Sequence, residues 1–90
     1  METMWKFVFD MERSPTLEIS TPRGSHARFV GLDPASGNPA IWFLVPKVAT
    51  EKVERTFVIY GTGHRIHQFS DYVGSVIQGQ FVWHIFESLL

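Results

Sequence analysis

Hydrophobic and polar residues alternate with a period of two along much of this chain, a pattern that predicts strands rather than helices. Trp5, Phe7 and Phe9 alternate with Lys6, Val8 and Asp10, giving a first strand with one face for a core. After a turn over Met11 to Pro15, Leu17 and Ile19 alternate with Thr16, Glu18 and Ser20, which predicts a short second strand antiparallel to the first. Beyond the loop Thr21 to Ser25, His26 to Leu32 forms a third strand, with Ala27, Phe29 and Gly31 facing one way and Arg28, Val30 and Leu32 the other. Asp33-Pro34-Ala35-Ser36-Gly37-Asn38-Pro39 is the clearest loop: Pro34 presets φ, and Gly37 or Asn38 accepts positive φ.

Ala40 to Val45 is continuously apolar, as in a central strand covered on both faces or one whose outer face meets another subunit. A helix is excluded by length, because the run lies between Pro39 and Pro46 and is shorter than two helical turns. Val48 to Val53, with Glu51 and Lys52, is compatible with one turn of helix, and a fifth strand runs from near Val53 to Tyr60. It ends in Gly61-Thr62-Gly63-His64, followed by a polar connection from Arg65 to Asp71.

Tyr72 to Gln78 and Phe81 to Glu87 are two strands around Gly79-Gln80, whose leading glycine suits a type II′ hairpin turn. That turn sets Gln78 opposite Phe81, Ile77 opposite Val82, Val76 opposite Trp83, Ser75 opposite His84, Gly74 opposite Ile85 and Val73 opposite Phe86. Both faces of the hairpin are then largely apolar, which predicts a central position or a surface shared with a second subunit. The expected fold is all-β: a small antiparallel sandwich or partly open barrel of about seven short strands, forming one domain over residues 1–90.

Composition supports a folded core without staples. Hydrophobic residues are 44% of the chain, with eight Phe, three Trp and two Tyr. A domain of this size buries only about 60 to 65% of the surface its unfolded chain exposes, so most of those rings are needed inside. There is no cysteine, which removes disulfides, thiol nucleophiles and cysteine-bound zinc. Eight Lys and Arg against nine Asp and Glu leave a formal charge of −1, without the basic footprint that duplex nucleic acid demands. No signal peptide is visible, and no apolar run approaches the roughly 20 residues of a membrane helix. The expected location is therefore cytoplasmic.

Several segments together resemble an uncharacterised family of short phage and prophage proteins: Trp5-Lys6-Phe7, Pro39-Ala40-Ile41-Trp42, Tyr60-Gly61-Thr62-Gly63-His64, Tyr72-Val73-Gly74 and Phe81-Val82-Trp83-His84-Ile85-Phe86-Glu87. The chain departs from that pattern at Arg65, where a proline usually follows the histidine, and at Ala40, where a cysteine often stands. The resemblance implies a viral origin, and so a host-cell cytoplasm, but no particular activity. Small phage proteins of this kind are often accessory factors that block host defence, by trapping nucleotide signals or occupying a host protein.

Gly61, Thr62, Gly63, His64 and Arg65 are the leading ligand-binding candidates. Two glycines let backbone N–H groups converge on an anion, and Thr62, His64 and Arg65 add hydrogen bonds and charge. The competing reading is a plain strand-ending turn, since the stretch lacks the P-loop Lys-Ser/Thr and the third glycine of dinucleotide folds. His64 and His67, with His26 or His84, lack the spacing of a metal site, so no metal or cofactor is expected. Ser75 beside His84 has the outline of a nucleophile and its base, with Asp71 or Glu87 as orienting acid. A histidine satisfied by a hydroxyl is the simpler account, and no catalytic residue is assigned. Trp83, His84 and Phe86 are the expected subunit interface.

Two functions follow as expectations. One is a non-catalytic phage accessory protein that binds a small phosphate-bearing host ligand, such as a nucleotide signal, as a homo-oligomer. The alternative is a protein-binding inhibitor of a host defence protein, or a minor phage assembly module.

Overall fold

The computed structural model describes residues 2–47 and 51–90. Its strands are β1 (Glu2–Val8), β2 (Thr16–Pro22), β3 (His26–Leu32), β4 (Pro39–Pro46), β5 (Lys52–Gly61), β6 (Ser70–Gln78) and β7 (Phe81–Ser88). They pair antiparallel in two sheets, β1-β4-β3 and β2-β5-β7-β6, and the described residues contain no helix. Neither sheet closes into a barrel, so the fold is a sandwich. The expected helical turn near Val48 falls largely on residues 48–50, outside the described residues; Lys52 already belongs to β5.

The core lies between the sheets. Phe9, Ile19, Ile41, Phe43, Val45, Phe57, Ile59, Val76 and Ile85 are buried together. A chain of edge-to-face rings crosses the layers, Trp5 to Phe7 at 6.4 Å, Phe7 to Phe43 at 5.6 Å and Phe43 to Phe57 at 5.5 Å between centroids. Such contacts add about 0.5–1.5 kcal/mol each beyond the area they bury. β4 is central in its sheet, as its apolar run predicts.

The first two strands do not pair with one another. β1 lies on β4 and β2 on β5, in different sheets. The odd-numbered apolar residues of both strands face the same core, a requirement that two facing layers satisfy as well as a hairpin does. The connection enforces the crossing: the Asp10 carbonyl accepts from the N–H groups of Arg13 and Ser14, each at 3.0 Å, and the Pro15 carbonyl accepts from Ile59 N–H in the other sheet at 2.9 Å. Phe9, next to this turn, is buried at 1% exposure.

Bulges in β3 and β6 revise two facing assignments. The β3 register shifts between Ala27 and Phe29, turning Phe29 outward onto Trp42 at 5.4 Å and Val30 inward against the core. In β6 the shift lies between Tyr72 and Gly74, so Tyr72 rather than Val73 faces Phe86, and Val73 packs toward the core. An inserted residue reverses the faces of everything beyond it, and simple alternation cannot reveal it. The hairpin itself pairs as expected from Gln78–Phe81 through Gly74–Ile85. Gly79 has φ +59° and, among the described residues, no non-glycine residue has positive φ, which at Gly79-Gln80 is the type II′ signature.

Candidate functional site

The turn after β5 folds onto itself before it meets anything else. His64 N–H donates to the Gly61 carbonyl at 3.1 Å, and Gly61 N–H donates to His64 Nδ1 at 3.2 Å. An accepting Nδ1 leaves the proton of the neutral ring on Nε2. A Cβ at Gly61 would crowd the imidazole at 3.2 Å, and Gly63 takes a φ of +90°, which L side chains rarely adopt. The Thr62 hydroxyl leaves the turn and lies 2.9 Å from His84 Nε2.

The β5–β7 pairing sets Gly61 opposite Trp83, which brings the turn beside the tip of the hairpin. Between them is a cleft of about 330 Å³ lined by Gly61, Thr62, His64, Gln80, Phe81, Val82 and Trp83. Phe81 and Trp83 stack at 5.5 Å and 19°. Trp83 Nε1–H donates to Gln78 Oε1 at 2.9 Å, and Gln78 Nε2–H donates to the Gly37 carbonyl at 2.7 Å, so the wall is tethered to the β3–β4 loop. Of the five turn candidates, Gly61, Thr62 and His64 line the cleft; Gly63 and Arg65 are exposed outside its lining. Gln80, Phe81 and Val82 were not among the candidates, because their place here depends on a strand pairing distant in sequence.

The outer face of the same sheet carries a different arrangement. Tyr60, Phe86 and Tyr72 meet edge to face at 5.7 and 5.4 Å. Beside them runs a hydrogen-bonded chain, Thr62 Oγ1 to His84 Nε2 at 2.9 Å, His84 Nδ1 to Ser75 Oγ at 2.8 Å and Ser75 Oγ to Tyr72 OH at 2.7 Å. Ile77, 71% exposed, and Val82 flank it. The three interface candidates are divided: His84 and Phe86 lie on this face, and Trp83 packs toward the core.

The pairing of Ser75 with His84 is thus real, but the imidazole's second nitrogen meets a threonine hydroxyl rather than a carboxylate. Glu87 is held on the inner face by Arg55, with Nε and Nη2 each donating at 2.8 Å. His67 Nδ1 accepts from Phe69 N–H at 3.1 Å. Among the described residues no three His, Asp or Glu side chains are grouped to hold a metal ion. A second cleft, about 570 Å³, lies by the β1–β2 turn with Asp10, Arg13, Ser14 and Glu18 in its wall, a mixed-charge lining with no convergent set of donors.

A family model described as a domain of unknown function, DUF7352, matches residues 1–89, and the chain belongs to that family. No curated protein and no solved structure matches it. No helix among the described residues is long and apolar enough to cross a membrane.

Proposed function

We propose that this DUF7352 protein is a non-catalytic binding protein whose ligand is a small, flat, phosphate-bearing molecule of the nucleotide class. The observation that carries the reading is the cleft between the Gly61–Arg65 turn and the hairpin tip. Its volume is at the lower end of those that hold small ligands, and its lining combines ring surface with a few polar groups. Phe81 and Trp83 offer a face for a base, where stacking is worth about 1–3 kcal/mol. His64 Nε2–H is a donor beside that face, and Arg65 extends the turn with a cation. The likeness to short phage proteins makes a host nucleotide signal the natural ligand, and an accessory role against host defence the natural setting.

The test is binding of a panel of linear and cyclic nucleotides, read by calorimetry and by native mass spectrometry of protein taken from cells. One member of the panel should bind, and Phe81→Ala should weaken it about tenfold or more while leaving the fold intact. Absence of binding across the panel, together with a native mass equal to protein alone, would overturn the reading. The alternative, docking on a host protein, draws on the exposed Tyr72, Ile77 and Val82 of the outer face. It is favoured if Ile77→Lys abolishes a stoichiometric complex and Phe81→Ala does not.

A further inference from the structure

Each sheet has two edge strands, β1 and β3 in one, β2 and β6 in the other. Exposed edges are templates for another strand, and proteins guard them with prolines, bulges or covering elements. Two of these edges are guarded along their length, and a third, β2, at its two ends. β3 and β6 are bulged, and they lie against each other where Val30 meets Gly74. On β2, Pro22 has no N–H and its carbonyl accepts from Ser25 N–H at 3.2 Å and Ser25 Oγ–H at 2.7 Å, while Thr16 N–H donates to Ser14 Oγ at 3.0 Å.

β1 has none of these devices. Its register with β4 is unbroken from Glu2 to Val8, and it contains no proline. Phe9 N–H donates to the Pro39 carbonyl at 2.9 Å, which sets the phase of the ladder. Thr3, Trp5 and Phe7 therefore turn their backbone groups to β4, and Glu2, Met4, Lys6 and Val8 turn theirs to the open edge. Met4 is 49% exposed there. Lys6, the one cation on the strand, does not guard the edge, because its ammonium reaches across the outer face to Asp33 Oδ1 at 2.6 Å.

We propose that β1 is the subunit interface of a two-fold dimer, with β1 pairing antiparallel to β1 of a second copy of this chain. Only even-numbered residues can face even-numbered ones across this edge, which leaves few registers. Centring the axis on Met4 puts Met4 against Met4 and Glu2 against Lys6 of the second copy on both sides of the axis. Opposite charges directly across a sheet are stabilising. Moving the axis to Lys6 instead sets two ammonium groups face to face, and moving it to Trp5 leaves Glu2 against Val8. Charge complementarity thus selects the Met4 register. On docking, the Lys6 side chain, 39% exposed, turns from Asp33 toward the incoming Glu2 carboxylate. Each hydrogen-bonded facing pair exchanges two backbone bonds, and the three-stranded sheets merge into one continuous sheet.

The test uses the absence of cysteine from the chain. In the proposed register the two Met4 Cα atoms lie about 5.5 Å apart, within disulfide reach. The two Glu2 Cα atoms lie roughly 13–14 Å apart, beyond it. Met4→Cys should therefore cross-link to a covalent dimer under mild oxidation and Glu2→Cys should not. Met4→Pro removes an N–H that faces away from β4, so it should convert the dimer to a monomer in sedimentation velocity with its circular dichroism unchanged. Glu2→Lys should weaken dimerisation about tenfold. A wild-type protein that sediments as a monomer at millimolar concentration, or equal cross-linking at positions 2 and 4, overturns the proposal.

Discussion

Two regions of the molecule bring the same pair of sheets together by opposite means. Along β3 and β6 the approach is so close that a Cβ on Gly74 would stand 2.5 Å from Val30 Cγ2, and the contact exists because a side chain is missing. At the end where the chain passes from β2 to β3, the gap is filled by one long side chain. The Arg55 guanidinium lies over the rings of Phe43 and Phe57, at 5.2 and 5.4 Å, grips Glu87 through two parallel bonds and donates Nη1–H to the Ser25 carbonyl at 2.8 Å. The first region therefore tolerates no added atom, and the second no removed one.

The largest expected effect comes from emptying the second region. Arg55→Ala leaves a carboxylate among apolar groups without its partner, a change that costs about 3–5 kcal/mol when a pair is fully buried. Arg55 and Glu87 each retain about a fifth of their side-chain exposure, which places the loss at about 3 kcal/mol or somewhat below. Urea denaturation measures it. Arg55→Met combined with Glu87→Leu should recover much of that loss, since no charge is then stranded. A double variant as unstable as Arg55→Ala would show that the guanidinium's bond to the Ser25 carbonyl and its charge over the Phe43 and Phe57 rings, not a stranded carboxylate, account for the loss.

Filling the first region should cost less. Gly74→Ala forces Val30 or its backbone to give way, an overpacking of about 1–3 kcal/mol. The comparison becomes sharp in a double-mutant cycle, because Gly74→Ala should be nearly harmless in a Val30→Ala background. Strict additivity of the two losses would mean that the strands meet without steric contact there.

The same two regions show what sequence alone could reach. Alternation locates the first three strands, an unbroken apolar run the fourth and β-branched and aromatic residues the fifth, and Gly79 with its neighbours locates the last two and their register as far as Gly74, since turn geometry and side-chain period are local properties. Plain alternation sets Val73 and Phe29 on the wrong faces because a bulge adds a residue without changing composition. The seam between Val30 and Gly74 was invisible for the same reason. Alternation suggests a β1–β2 pair that does not form, because it reports which residues face a core, not which layer they face it from. At the candidate site the turn was legible from its glycines, and so was the contact of Ser75 with His84 from the hairpin register. The wall contributed by Gln80, Phe81 and Val82 depends on β5 lying beside β7, a long-range choice that no local motif announces.

A third tie, of smaller effect, runs over the outside of one sheet and responds to pH. Asp33 accepts from Lys6 of β1 through Oδ1, and from the Ser36 N–H and hydroxyl through Oδ2 at 3.0 and 2.7 Å. The Lys6 hydrogen bond first, and then those of Ser36, hold its carboxyl at about 2, against a usual value of 3.8. A pKa lowered by folding means that the unfolded chain takes up the proton first. The stability Asp33 confers is therefore complete above about 4 and is lost as pH falls toward and through about 2. Urea midpoints measured between pH 6 and pH 2 should fall in that window, and Lys6→Met should flatten the fall without altering the region around Arg55. Identical pH profiles for the two proteins would show that Ser36 alone sets the carboxyl, and that β1 is bound to its sheet by the β4 ladder with no help from this ion pair.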